Sequence, residues 1–180
     1  MSLVTIIVGP MYSGKSSELL RYLERASIGK KKACLVRPRL DNREFFSHSV
    51  STQTLYNKIE IPIIYYPLAE SVSDYDVIGI DECQFIYDLD EFVRFLIKQN
   101  KTVYMSGLLA TSESVIFDPI KNVLPYCDEI VKLNAVCVEC SNDIGNYTRY
   151  KEGNKKHNVE IGGADKYDAV CAQCYFKGAK

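Results

Sequence analysis

No run of apolar residues in this chain approaches the roughly 18 that a membrane-spanning helix requires, so no membrane association is expected. The amino terminus passes straight into the apolar stretch Leu3–Val8 with no basic segment and no cleavage site, and the chain is expected to stay where it is made, in the cytoplasm. Charge of one sign is equally lacking: 22 Lys and Arg stand against 23 Asp and Glu, a formal net charge of -1. Without clustered cations there is no field to gather a polyanion, which disfavours nucleic acid as a partner. The run Lys30-Lys31-Lys32 carries no interleaved aromatics and reads as a solvated turn between a helix and a strand. Histidine is scarce too, and His48 and His157 show no ligand spacing with the cysteines, so both are read as surface residues.

Cysteine, by contrast, occurs seven times. An odd count, with two Cys-x-x-Cys pairs among them, fits a reducing compartment and a metal site better than a disulfide framework. A chain of 180 residues that is 47% hydrophobic and 25% charged can bury one substantial core and carry a small appendage.

The segment Gly9-Pro-Met-Tyr-Ser-Gly-Lys-Ser16 satisfies G-x-x-x-x-G-K-[ST], follows a β-branched run and opens a helical pattern. That context makes it a phosphate-binding loop. Its glycines, Gly9 and Gly14, let the backbone through Pro10, Met11, Tyr12 and Ser13 bend so that successive N–H groups after the proline curl around a phosphate. Lys15 reaches the β/γ oxygens, and the Ser16 hydroxyl ligates Mg²⁺. From Ser17 to Ile28, Leu19, Leu20, Leu23 and Ala26 share one helical face, and Gly29 stops the pattern.

Beyond that helix, strands are expected at Ala33–Val36, Asp76–Ile80, Thr102–Leu108 and Glu129–Leu133. Asp88-x-x-Glu91 resembles a capping arrangement before the apolar positions Phe92, Val93, Phe95, Leu96 and Ile97. Residues 37–54 show no periodicity and read as a loop, one able to move. Alternation of this kind means an α/β fold, helices covering a mostly parallel sheet. Strand order does not follow from it.

Ligands of such sheets sit at the carboxyl ends of the strands, so Asp81-Glu82 faces the same crevice as the phosphate loop. Asp81 occupies the position that holds Mg²⁺, leaving Glu82 to orient or deprotonate a nucleophile. Cys137-Val-Glu-Cys140 and Cys171-Ala-Gln-Cys174, with 30 residues (141–170) between them, offer four thiolates to a tetrahedral zinc ion. Their separation exceeds common finger spacing, so an insertion lies between the knuckles. There, Tyr147–Tyr150 and Asn158–Ile161 read as short strands around a turn at Gly153. Cys34, Cys83 and Cys127 sit beside apolar stretches and read as small core residues.

GPMYSGKS, IDECQF (Ile80–Phe85), KLNAVC (Lys132–Cys137), VEC and IGGADKY (Ile161–Tyr167), followed by Cys-x-x-Cys-Tyr, together resemble the cellular-type, or type II, thymidine kinases over nearly the whole chain. The resemblance implies a phosphate-loop, RecA-like nucleotide domain at 1–133 and a zinc-binding lasso domain at 134–180 that covers the base. It implies transfer of the ATP γ-phosphate to the 5′-hydroxyl of thymidine, with Glu82 as base. Met11, Phe85, Leu108, Phe117, Asn134, Ile161, Gly162 and Tyr167 would line the nucleoside site, and Asp41, Arg43 and Gln84 would join the phosphate set. It further implies structural zinc, magnesium with ATP, a homotetramer and feedback inhibition by thymidine triphosphate. Two segments depart from the family pattern: Leu108-Leu109-Ala110-Thr111-Ser112 stands where L-D-G-T-F is usual, and Asn134 replaces a threonine. Both leave phosphoryl transfer untouched, but a pocket discriminates a methyl group by only about 1–3 kcal/mol. Deoxyuridine is therefore expected to be accepted comparably with thymidine.

Overall fold

The computed structural model describes residues 2–39, 50–59, 61–67, 72–151 and 166–177. Asp41, Arg43, His48, Gly153, His157 and the strand expected at 158–161 lie outside them.

The run Val4–Gly9 forms β1, buried along its whole length. It is followed by α1 (Lys15–Ile28), β2 (Ala33–Pro38), α2 (Val50–Ile59), β3 (Ile63–Tyr66), β4 (Val77–Ile80), a 3-10 turn at Cys83–Phe85, α3 (Leu89–Lys98), β5 (Thr102–Leu108), α4 (Asp118–Val123) and β6 (Glu129–Lys132). Six strands form one sheet in the order β3-β2-β4-β5-β1-β6, and every pairing within it is parallel. A parallel sheet buries both faces, which is why β4 reads as a continuous apolar run and β1 and β2 as apolar runs broken only by Thr5 and Arg37.

Alternate residues supply alternate faces. Ile6, Val8, Ile78, Ile80, Val103 and Met105 pack with Phe92, Val93 and Leu96 of α3 and with Ile120 and Val123 of α4. Ile7, Leu35 and Val77 meet Leu19, Leu20 and Leu23 of α1 on the other side. Each such side chain contributes about 1.5–3 kcal/mol on burial. Gly79 lets the Leu23 side chain of α1 sit against the strand, because a Cβ there would stand 2.7 Å from Leu23 Cδ1 and Leu23 would have to shift.

A second, two-stranded sheet pairs β7 (Tyr147–Tyr150) antiparallel with β8 (Tyr167–Val170), and α5 (Ala172–Lys177) follows. The partner of β7 is thus β8. Several expectations are corrected. Residues 37 and 38 finish β2, and 50–54 open α2, so the stretch read as a loop is ordered at both ends. Asp88 stands at the N-cap of α3 but its side chain makes no capping bond; the first turn is closed by Phe92 N donating to Asp88 O at 3.0 Å. The first helix starts at Lys15, two residues before the stretch in which the apolar periodicity is expected.

Candidate active site

The strands β1, β4 and β5 are parallel neighbours in the order β4-β5-β1, so their carboxyl ends open on one edge. At the end of β1, left-handed backbone at Tyr12 (φ 64°) and Gly14 (φ 82°) gives the alternation that aims successive N–H groups into a concave anion nest. Ser13 Oγ donates to Pro10 O at 2.9 Å, and Lys15 Nζ donates to the same carbonyl at 2.6 Å. Both contacts draw the loop tight. Gly9 is required, since a Cβ would stand 2.5 Å from Leu133 O and 2.7 Å from Ser13 Oγ. Met11 N donates to Thr148 Oγ1 of β7 at 3.2 Å, which ties the loop to the second sheet.

The acid pair at the end of β4 divides. Asp81 is 1% exposed, and its Oδ1 accepts from Ser16 Oγ at 3.2 Å and from Ser106 Oγ of β5 at 2.5 Å. A hydroxyl and a carboxylate brought together this way are oxygen donors of the kind magnesium takes.

Glu82 has φ 50° and ψ 40°, left-handed backbone that a non-glycine residue adopts at a cost of order 1 kcal/mol. That residue swings the chain from β4 into the 3-10 turn. Its Oε2 accepts from Gln84 Nε2 at 2.7 Å, while Gln84 Oε1 accepts from Leu108 N at 3.1 Å. Gln84 is buried, so its amide is committed at both ends to Glu82 and the end of β5. Gly107 makes room for it: a Cβ there would meet Gln84 Oε1 at 2.7 Å.

Phe85 and Phe117 meet edge to face with ring centroids 6.4 Å apart, and Leu108 pairs in register with Gly9. Met11, Phe85, Leu108 and Phe117 are all partly buried, whereas Asn134, just past β6, is exposed. Tyr167 is buried on β8, edge to face with Tyr150 at 5.2 Å. Asp41, Arg43, Ile161 and Gly162 lie outside the described residues.

The four cysteines of the knuckles converge, all Sγ atoms within 4.8 Å of one another. Cys140 and Cys171 stand 3.8 Å apart at sulfur, about the edge of a sulfur tetrahedron around an ion bonded at roughly 2.3 Å. The set fits zinc. Burial pushes the Cys137 thiol up, yet backbone groups of Cys140, Cys171 and Glu139 more than offset this, bringing it down to about 6. The remaining cysteines behave as core residues: burial pushes Cys34 up to about 12, Cys127 to about 11 and Cys83 well above the ordinary range.

Three residues escaped the sequence reading. Ser106 is a fully buried hydroxyl between Met105 and Gly107 of β5, and its polarity near a strand end is the available signal. Thr148 leaves no local signal, and Tyr175, though it closes the Cys-x-x-Cys-Tyr motif, gives no sign of its partner, since each acts across 60 or more residues of chain. Ser106→Ala is expected to cost about 1.5–3 kcal/mol, because it takes a donor from a buried carboxylate. For a chain of this size that lowers Tm by roughly 3–12 °C. A thermal melt superimposable on the parent's would refute that role.

Among the described residues no helix is long and apolar enough to cross a membrane. A thymidine kinase family profile matches residues 2–175. The chain is 38% identical over 175 residues to the cytosolic thymidine kinase of Cricetulus griseus, covering 97% of this chain and 73% of that protein. It is 38% identical over 177 residues to the cytosolic enzyme of Homo sapiens, covering 98% and 74%. It is 35% identical over 175 residues to the thymidine kinase of Sheeppox virus (strain KS-1), covering 96% of each.

Proposed function

The chain belongs to the thymidine kinase family, and we propose that it transfers the γ-phosphoryl group of ATP to the 5′-hydroxyl of thymidine, giving the 5′-monophosphate and ADP. The observation that carries this reading is the division of partners between adjacent carboxylates: Asp81 accepts from Ser16 of the 9–16 loop, and Glu82 accepts from Gln84. One acid serves the polyphosphate and the other serves the acceptor.

In this reading the 9–16 loop, through its N–H groups from Tyr12 onward, and the Lys15 ammonium cradle the β- and γ-phosphates. Ser16 and Asp81 would hold magnesium, which supplies charge neutralisation across the phosphates. Glu82 takes the proton of the 5′-hydroxyl as that oxygen attacks the γ-phosphorus, and the β–γ bridging oxygen leaves with ADP. Phosphoryl transfer of this kind is positioning and electrostatics, and the Gln84 clamp supplies the positioning of the base. Met11, Phe85, Leu108, Phe117 and Asn134, with Ile161, Gly162 and Tyr167 of the zinc-bound unit, form the nucleoside site. Asp41 and Arg43 complete the phosphate set. Residues 1–133 act as the nucleotide domain and 134–180 as a lasso over the base, with zinc on Cys137, Cys140, Cys171 and Cys174. The names of the relatives support a cytoplasmic location, and a homotetramer inhibited by thymidine triphosphate completes the reading.

The test is incubation with labelled ATP and a panel of nucleosides. Nucleoside-dependent formation of a 5′-monophosphate is expected, and ADP release indifferent to nucleoside would overturn it. In the same panel kcat/KM for deoxyuridine is expected to fall within about 100-fold of thymidine, the scale of one methyl group. A larger preference would mean the departures at Leu109, Ser112 and Asn134 do not relax the pocket.

A further inference from the structure

The turn between β5 and α4 carries one of the two segments that depart from the family pattern, and the structure shows what holds it. Ala110 and Ile116 form an antiparallel bridge. Thr111 N donates to Val115 O at 2.8 Å, and Ser114 N donates to Thr111 O at 3.0 Å with Ser114 in left-handed backbone at φ 62°. Thr111 Oγ1 accepts from Glu113 N and Val115 N, each at 3.3 Å. At its base Phe117 N donates to Leu109 O at 3.3 Å. The turn is thus a stiff, closed unit with Leu108 entering and Phe117 leaving.

Its tip is gripped from the other unit. Tyr175 OH donates to Ser112 O at 2.7 Å and accepts from Ser114 Oγ at 3.1 Å. Tyr175 is the residue after Cys174, its N–H donates to Cys171 O at 2.9 Å, and its ring stacks on Tyr147 with centroids 4.7 Å apart. The four-cysteine cluster therefore fixes the ring, and the ring's hydroxyl fixes the turn. A rigid turn clamped at its tip passes that constraint to both ends, because coupling follows contiguous packed and hydrogen-bonded groups.

We infer that Tyr175 is a positioning residue for the nucleoside pocket: through its hydroxyl the metal-bound unit sets the placement of the 110–116 turn, and hence of the Leu108 and Phe117 wall. The inference rests on the thymidine kinase reading above and deepens it. The hydrogen bonds and ring contacts of Tyr175 go to Ser112, Ser114, Cys171, Tyr147 and Phe176, so its effect is assigned to nucleoside binding.

The experiment is Tyr175→Phe, which keeps the ring and its stack and removes only the hydroxyl. Two hydrogen bonds are lost, so KM for thymidine is expected to rise about three- to tenfold. Turnover at saturation, KM for ATP and zinc content should stay at parent values. If KM for thymidine is unchanged, the inference fails. If KM rises but zinc is lost as well, the hydroxyl serves the cluster, and the inference fails again. Should Tyr175→Phe not accumulate as folded protein, Ser114→Ala at its exposed site removes one of the two bonds. It is expected to raise the same KM by about two- to fivefold, and no rise would equally overturn the inference. Failure of the underlying reading looks different, since the parent protein itself would then show no nucleoside-dependent turnover.

Discussion

Glu82→Gln is expected to lower kcat for thymidine phosphorylation by about 10²- to 10⁴-fold, the usual contribution of a positioned base, while ATP affinity stays nearly unchanged. The change removes basicity and little else. Glutamine has the same length, and its carbonyl oxygen accepts the Gln84 Nε2 bond that Glu82 Oε2 accepts at 2.7 Å. The left-handed backbone at this position, φ 50°, costs either side chain about the same. In the proposed reading ATP affinity rests on the 9–16 loop and on Asp81, whose bonds to Ser16 and Ser106 do not involve Glu82. The check is a steady-state comparison of kcat alongside direct ATP binding. A kcat within about threefold of the parent would place the base elsewhere, and a parallel loss of ATP binding would show that the two carboxylates do not divide their work.

Parts of this site were legible before any coordinates, and the reason is local. β1 and β4 are buried on both faces, so their runs are apolar but for Thr5, and each ends abruptly at the group that matters, Gly9 in one case and Asp81 in the other. The spacing within each Cys-x-x-Cys pair is likewise fixed by tight turns and survives any fold. What was missed depends on placement across the chain. β3 lies at a sheet edge between Pro62 and Pro67 and is only partly buried, so it lacks the pattern of a central strand. α4 and α5 span six residues each, less than two turns and too short for a periodicity to register. Ser106 acquires meaning only once β5 is known to separate β1 from β4, an order the alternation of elements does not contain. Gln84 was assigned to the phosphates from motif alone; its bonds to Glu82 and Leu108 N support a role in holding the base, and they arise from a register between two strand ends.

Cys140→Ser is expected to release the metal and unfold the second unit while leaving ATP binding to the first intact. The buried cluster of that unit consists of Cys137, Val170, Cys171 and Cys174, with Tyr147 and Tyr175 packed against it. Three of the four buried members are thus the proposed ligands themselves. So small an apolar core cannot offset the conformational entropy of ordering its chain, and units of this size ordinarily depend on a metal or a disulfide. Structural zinc supplies about 10–16 kcal/mol to comparable peptides near neutral pH, so the ion outweighs all other terms. A serine hydroxyl at position 140 stays protonated and replaces a thiolate poorly. With the metal gone, amide protection in β7 and β8 should fall to that of an open chain, while β1, β4 and β5, whose core is separate, keep theirs. Two contacts then go slack at the crevice: Thr148 with Met11 N, and Tyr175 with Ser112 and Ser114. Thymidine phosphorylation should fall by more than the about 10- to 100-fold that follows loss of a ligand-supporting residue. Zinc analysis, hydrogen exchange and ATP titration on one preparation decide the matter. Retained zinc would refute the ligand assignment, and loss of protection throughout β1 and β5 would show that the metal-bound unit supports the whole sheet.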